Sequence, residues 1–392
     1  MEEKWSYFSL KPHLRNLRFG GYCALDPSTP PTRLYVHKIY MRFVLFSSIL
    51  FMIQHAIKGY EVRSDMNALM DTMFLLFTYF GSICKQIVML VKADEVQDLL
   101  NTMKGDLFNQ PEEEHHKLLK ESAREARILV NIYSFTAFAN TILMGLYLLI
   151  LYATGMPVEF CIWFPFEPDT KLKFCFAVFY YYIQITWIAV NITTLDAFIA
   201  CFLHQCSAQI NILRYDLENF VESCKIQSTN SEIPLIQAYD VKFKNITLHF
   251  LEIHKFFAKV EDTYSRAIFC QFLFGAWILC TTAYKLVELD KTSLECLTVI
   301  VFMMCIFTEL FVFCFYGSRL TDASEKLMNS AYFLDWVEVP LKHRRNLMLF
   351  MEMIKKPILP TAGSIAPLAN TTFVAIVKSS YSFYAFLKNT EN

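Results

Sequence analysis

Nine histidines, twelve cysteines and a few ionisable residues inside apolar runs are the groups in this sequence with the means to do chemistry. A membrane di-iron oxygenase needs several close histidine clusters. Only His115-His116 and the pair His249/His254 lie near one another. Adjacent residues point to different faces of a helix, and a spacing of five is poor for a shared metal. The cysteines form no Cys-x-x-Cys pair, so neither a zinc site nor a thioredoxin-like site is read. Most lie in apolar runs, where a free cysteine acts as a small hydrophobe. No Gly-x-Ser-x-Gly elbow and no phosphate-cradling glycine loop is present. The sequence therefore points away from an enzyme, with no catalytic residue, cofactor or metal expected. Three Asn-x-Ser/Thr sequons, at Asn191, Asn245 and Asn370, fall in spans or inner segments and are read as chance matches.

The ionisable residues inside apolar runs are Asp71, Asp196, Glu309 and Lys378. A charge in lipid costs about 3 kcal/mol or more, so each must face protein or water. The three acids read as hydrogen-bonded contacts between helices. Lys378 precedes Lys388 by ten residues, about 15 Å along a helix, which is too far for its side chain to reach the surface. With Thr371, Thr372, Ser379 and Ser382 it gives the last apolar segment a wet surface. One helix encloses no pore, but several copies around an axis do. The segment reads as the lining of a multimeric channel.

The elements that position these residues follow from composition. Hydrophobic residues make up 55% and charged residues 19%, against about 25% charged in a typical soluble domain. Mean hydropathy is +0.32, so lipid is the expected solvent. A net charge of −1 leaves no basic field for nucleic acid. Seven stretches approach the roughly 20 apolar residues that cross a bilayer as a helix: about 39–57, 66–91, 128–152, 174–202, 267–284, 296–315 and 365–387. The expected fold is an all-α polytopic membrane protein with seven transmembrane helices. No apolar stretch precedes Tyr35, so no cleavable signal peptide is expected.

With the N-terminus in the cytosol, 28 of the 36 Lys and Arg fall on inner segments, Lys85 among them, and seven on outer ones. The positive-inside rule thus predicts a cytosolic N-terminus and an extracellular C-terminus. A G-protein-coupled receptor has the opposite orientation, and neither Asp-Arg-Tyr at the end of the third span nor any Asn-Pro occurs here. No G protein is required as a partner.

Residues 1–38 form a cytosolic N-terminal segment and 39–203 carry spans one to four of a ligand-binding bundle. Residues 204–266 form cytosolic helical extensions and 267–315 spans five and six. Residues 316–360 form cytosolic anchor helices, and 361–392 hold span seven with a short outer tail. The inner segments repeat apolar residues at helical spacing, as in Phe243, Ile246, Phe250, Ile253, Phe257 and Val260. Such stripes need a cover, and an oligomer supplies one. The loop between spans three and four holds Trp163-Phe164-Pro165-Phe166-Glu167-Pro168, a stiff apolar lid or an interfacial anchor. Above it, aromatics with a few polar groups on spans two to four suit either an apolar pocket or ordinary core packing.

The stretch from about Tyr316 to Leu387 resembles the insect odorant receptors of the ligand-tuning type. The resemblance rests on Tyr316-Gly317-Ser318, Ala331-Tyr332, Trp336, Arg344-Arg345, Lys356-Pro357, Ala362-Gly363, Leu368 and the run Thr372-Phe373-Val374-Ala375-Ile376-Val377-Lys378-Ser379-Ser380-Tyr381-Ser382-Phe383. Pro165-Phe166 and Gln184 also match. The Thr-Tyr-(four residues)-Gln-Phe ending of gustatory receptors and the long second inner loop of the shared co-receptor are absent.

The resemblance implies an odorant-gated, non-selective cation channel in the plasma membrane of a sensory dendrite, assembled as a tetramer with the co-receptor. Its ligand is a small volatile organic molecule held in the outer half of the bundle. Depth and helical spacing select Met73, Phe74, Phe77, Met144, Tyr147, Tyr180, Gln184, Ile300 and Met303 as the pocket. Lys378, Tyr381, Tyr384 and Leu387 are expected along the pore and its gate. Tyr332, Trp336, Arg344 and Arg345 are expected in the oligomer anchor. The alternatives are a transporter for a small apolar molecule and a gustatory-type receptor channel.

Overall fold

A computed structural model describes residues 4–391 except 156, 157, 159 and 290–292; side chains are described for these except residues 66, 67, 288, 383, 384 and 386–391. Two short helices lead, α1 (Trp5–Phe8) and α2 (Lys11–Gly20), followed by the long α3 (Pro31–Glu61) and α4 (Met66–Val91). The short α5 (Ala93–Lys104) and a single 3-10 turn (Asp106–Phe108) connect to α6 (Glu113–Ala153). Then come α7 (Lys171–Glu218), α8 (Phe220–Ser231), α9 (Leu235–Glu288), α10 (Leu294–Tyr332) and α11 (Leu341–Ile354). A small antiparallel hairpin, β1 (Thr361–Ala362) with β2 (Ala366–Pro367), precedes α12 (Asn370–Glu391).

Among the described residues, six helices are long and apolar enough to cross a membrane: α3, α4, α6, α7, α9 and α10. The chain is a multi-pass, all-α membrane protein. The seventh expected span corresponds to α12, whose Ser, Thr and Lys content keeps it below that standard and which packs along α9 and α10.

Local sequence explains where the helices begin and end. Pro30, Pro234 and Pro340 stand just before α3, α9 and α11, where a missing N–H costs nothing. Ser293 caps α10, its Oγ accepting from the Cys296 N–H at 3.0 Å. Between α7 and α8 the chain bends at Asn219, whose side-chain amide donates to the Tyr215 carbonyl at 2.9 Å.

The fourth long helix, α7, is the axis of the bundle. Every residue from Asn191 to Ile210 is buried, as expected of a helix enclosed on all sides. The neighbours α6 and α10 run along it, with α4 and α9 closing the far side. Its 48 residues and the 54 of α9 exceed what a bilayer core needs, so both continue beyond the apolar zone. There they meet α2, α5, α8 and α11 in a helical collar, in one continuous core with the lower bundle. A separate aromatic core at the lid end gathers Phe51, Tyr79, Phe160, Ile162 and Tyr181.

Two glycines are required where α12 attaches. A Cβ on Gly317 would lie 2.1 Å from the Leu368 carbonyl oxygen, so α10 admits the segment entering α12 only because nothing projects there. Gly363 turns the hairpin at φ +61 against the Phe269 ring, a backbone region that favours glycine.

Candidate functional site: a lidded cavity in the helix bundle

A cavity of about 390 Å³ lies at the lid end between α4, α6, α7, α9 and α10, within the usual range for small-molecule sites. Helical spacing decides which side chains reach it. The helix α4 contributes Asp71, Thr72, Phe74, Leu75, Thr78 and Tyr79, and α6 contributes Asn140, Thr141, Met144, Tyr147, Leu148 and Leu151. From α7 come Tyr181, Ile185, Ile188 and Ala189, from α9 Thr282 and Lys285, and from α10 Glu295, Thr298, Val299 and Phe302. Phe160 and Cys161 come from the lid. The lid is tied to α3 through the Trp163 N–H, which donates to the Gln54 carbonyl at 3.1 Å. Phe160 meets Phe164 at 5.3 Å and Tyr181 at 5.8 Å between ring centroids, both edge-on.

One wall is charged. Lys285 Nζ donates to both Asp71 carboxylate oxygens at 2.8 Å and lies 2.9 Å from Glu295 Oε1. The Tyr147 hydroxyl donates to Glu295 Oε2 at 3.0 Å. These side chains are a fifth to a third exposed, because they border the cavity. Two turns further along α4 the Tyr79 hydroxyl is buried with no hydrogen-bond partner among the described residues.

The structure brings Phe74, Met144 and Tyr147 to the cavity and sets the other expected pocket residues elsewhere. Met73 packs its methyl against Gly59 of α3. Phe77 stacks on Phe274 at 5.0 Å. Tyr180 donates to Gln54 Oε1 at 2.8 Å, and Gln184 donates to Ser47 Oγ at 2.8 Å. Both therefore face α3. Ile300 is exposed, and Met303 packs against the lower core. Lys285, Glu295 and Tyr79 were not singled out from sequence. The available signal was the position of Lys285 and Glu295 at facing ends of consecutive spans, where two opposite charges bracket a short connection.

A second charged group lies deeper, between the cavity and the collar. Lys85 Nζ is 2.5 Å from Asp196 Oδ1 and 3.5 Å from Glu309 Oε1, with Lys85 and Asp196 fully enclosed. The Gln271 amide donates to Asp196 at 3.3 Å and to Glu309. Asp196 and Glu309 thus hold helices together, and Asp71 does so at the lid end. Lys85, counted from sequence among the connecting segments, lies instead inside the bundle.

On α12, Lys378 is exposed, with Thr371, Ala375, Ser379 and Ser382 on the same side. Tyr381 is also exposed. Tyr384 and Leu387 lie outside the residues whose side chains are described. In the collar, Tyr332 is exposed and Trp336 half-buried, its indole N–H donating to the Tyr332 carbonyl at 3.0 Å. Arg344 donates to the Val339 and Val337 carbonyls at 2.8 and 2.9 Å, and Arg345 faces outward.

The histidines do not assemble a metal centre of the oxygenase kind. His249 bonds Gln209 at 2.8 Å. His115 joins Glu112 and Asp216 in a small cluster. The ammonium of Lys242 already sits there, 2.8 Å from Asp216 and 3.1 Å from Glu112.

The profile of the 7tm Odorant receptor family matches residues 65–381. Among curated proteins, odorant receptor 94a of Drosophila melanogaster is 24% identical over 62% of this chain. The aligned region spans 61% of that receptor's own length. Odorant receptor 23a of the same fly is 19% identical over 79% of this chain and 78% of that receptor. Among solved structures, the insect olfactory receptor OR5 from Machilis hrabei superposes with a TM-score of 0.80 at 14% identity, covering 96% of this chain and 97% of that one. The same receptor solved in complex with eugenol gives 0.82 at 12% identity, covering 97% of each chain. With the family profile matched over most of its length, this chain belongs to the 7tm odorant receptor family.

Proposed function

We propose that this protein is the ligand-tuning subunit of an odorant-gated, non-selective cation channel in the plasma membrane, assembled in a tetramer with the family's shared co-receptor. The observation that carries the reading is the lidded cavity inside the helix bundle, apolar on most sides and polar on one. A related receptor solved with eugenol supports a small volatile as occupant. The exposed hydroxyls and ammonium along α12 support a water-lined path formed where several copies meet. In the collar, Phe333, Val337 and Leu341 are each at least 80% exposed, which supports an oligomer anchor at that end. In this reading the lid end is extracellular and the collar cytosolic, the orientation that the distribution of Lys and Arg favours.

Gating follows from population shift. The volatile opens the channel only so far as it binds the open arrangement more tightly than the closed one, because equal affinity shifts nothing. The long helices α7, α9 and α10 connect the cavity to the collar, and α12 packs against the latter two.

Whole-cell recording in cells expressing this chain with and without the insect co-receptor, under a panel of volatile alcohols, esters and aldehydes, tests the assignment. Odorant-evoked cation current in the pair, and none from this chain alone, is the expected result. Substrate uptake without single-channel steps would establish a transporter instead.

A further inference from the structure

The cavity wall carries more information than its size, because its charged groups are unequally satisfied. Lys285 Nζ donates to Asp71 Oδ1 and Oδ2 at 2.8 Å and is ion-paired with Glu295 Oε1 at 2.9 Å. The Tyr147 hydroxyl hydrogen is directed at Glu295 Oε2. The donors of this cluster are therefore all engaged within it. The acceptors are not: two ionised carboxylates offer about eight lone-pair sites, and four described contacts use them. Asp71 and Glu295 keep roughly 30% of their side-chain surface open. Counting Asp71, Glu295 and Lys285 together, the cluster also carries one excess negative charge. The other lysine on the wall, Lys58, pairs with Glu61 at 3.9 Å.

A ligand group that only accepts hydrogen bonds meets negative charge at this cluster and finds donors only elsewhere on the wall, such as those of Lys58 and Asn140. A group that donates finds open carboxylate oxygens in a low-dielectric cavity, where a charge-assisted hydrogen bond is strong. The remaining wall, including Phe74, Leu148, Ile185 and Phe302, takes apolar surface.

We propose that this cavity prefers a small apolar molecule whose polar head, a hydroxyl or a protonated amine, donates a hydrogen bond to the Asp71–Glu295 carboxylate pair over the ether of the same skeleton, which cannot donate. The proposal rests on the cavity being the odorant site. Asp71 and Glu295 are then the specificity-determining residues, Lys285 and Tyr147 hold their carboxylates in place, and the aromatic walls set the size of the tail.

The test measures binding rather than current, so that a failure of the channel reading leaves it intact. The purified full-length protein in detergent micelles is titrated with 2-phenylethanol, its methyl ether and 2-phenylethylamine, and binding is followed by ligand-induced thermal stabilisation and by calorimetry. The expected result is that the alcohol or the amine binds about tenfold or more tightly than the ether, the scale of one charge-assisted hydrogen bond. The arm that binds best separates hydroxyl from ammonium recognition. In Glu295→Gln, which keeps the shape but supplies a donor, the preference over the ether should fall to within about threefold. Asp71→Asn serves as a second variant, and each is accepted only if it elutes and unfolds as a single species. An ether that binds as tightly as the alcohol and the amine, or a preference unchanged in both variants, would overturn the proposal. Binding by none of the three would overturn both it and the assignment of this cavity to odorants of that size.

Discussion

The Lys85 ammonium lies 2.5 Å from the Asp196 carboxylate in the middle of the helix bundle, joining α4 to α7 across 111 positions of sequence. Neither side chain has measurable exposure beyond 1%. Glu309 of α10 and Gln271 of α9 complete the group, so four of the long helices meet at one ion pair. Removing one partner leaves buried charge without compensation, whereas replacing the whole group with apolar side chains removes the cost of desolvation as well.

Lys85→Met should therefore destabilise the protein by about 3–5 kcal/mol, read as lost surface expression and a lowered thermal midpoint of the purified chain. The quadruple variant Lys85→Met/Asp196→Leu/Glu309→Met/Gln271→Leu, which also removes the amide that donates to both acids, should recover most of that loss. A single variant as stable as the parent would show that the group contributes no pairing energy.

The attachment of α12 depends on a missing side chain. Gly317→Ala places a methyl 2.1 Å from the Leu368 carbonyl oxygen, and backbone cannot yield as a flexible side chain does. We expect the variant to reach the membrane yet to lose most of the odorant-evoked current, because the segment entering α12 is displaced. Current density normalised to surface labelling measures this. Unchanged current would mean that α12 docks without this contact.

The exposed ammonium of Lys378 should oppose cation passage if α12 lines the path. Lys378→Glu is expected to raise single-channel cation conductance by about twofold or more, with odorant potency unaltered. Conductance equal to that of the parent would place Lys378 away from the ion path.

The sequence shows these features unevenly, for physical reasons. Long apolar runs read directly as helices, and the acids at Asp71, Asp196 and Glu309 could be recognised as contacts between helices because an unpaired charge is too costly in lipid. Their partners could not, since Lys85 and Lys285 lie 111 and 214 positions away and only the tertiary fold brings them close. Depth along a span was legible, but rotation about its axis was not. On α6 the expected Met144 and Tyr147 fall on the cavity face. On α7 the expected Tyr180 and Gln184 stand one residue before the lining Tyr181 and Ile185. One residue is about 100° of helix rotation, enough to turn both toward α3 and its Gln54 and Ser47. The same offset separates Ile300 and Met303 from Val299 and Phe302 on α10.

If the volatile that gates the channel sits in the lidded cavity, filling that space abolishes its action. Met144 borders the cavity from α6, and Met144→Trp should put an indole where the ligand would lie. In cells expressing the variant with the insect co-receptor, odorant potency should fall at least tenfold, while a co-receptor agonist still opens the channel. Odorant potency equal to that of the parent, with the indole in place, would contradict this placement of the ligand.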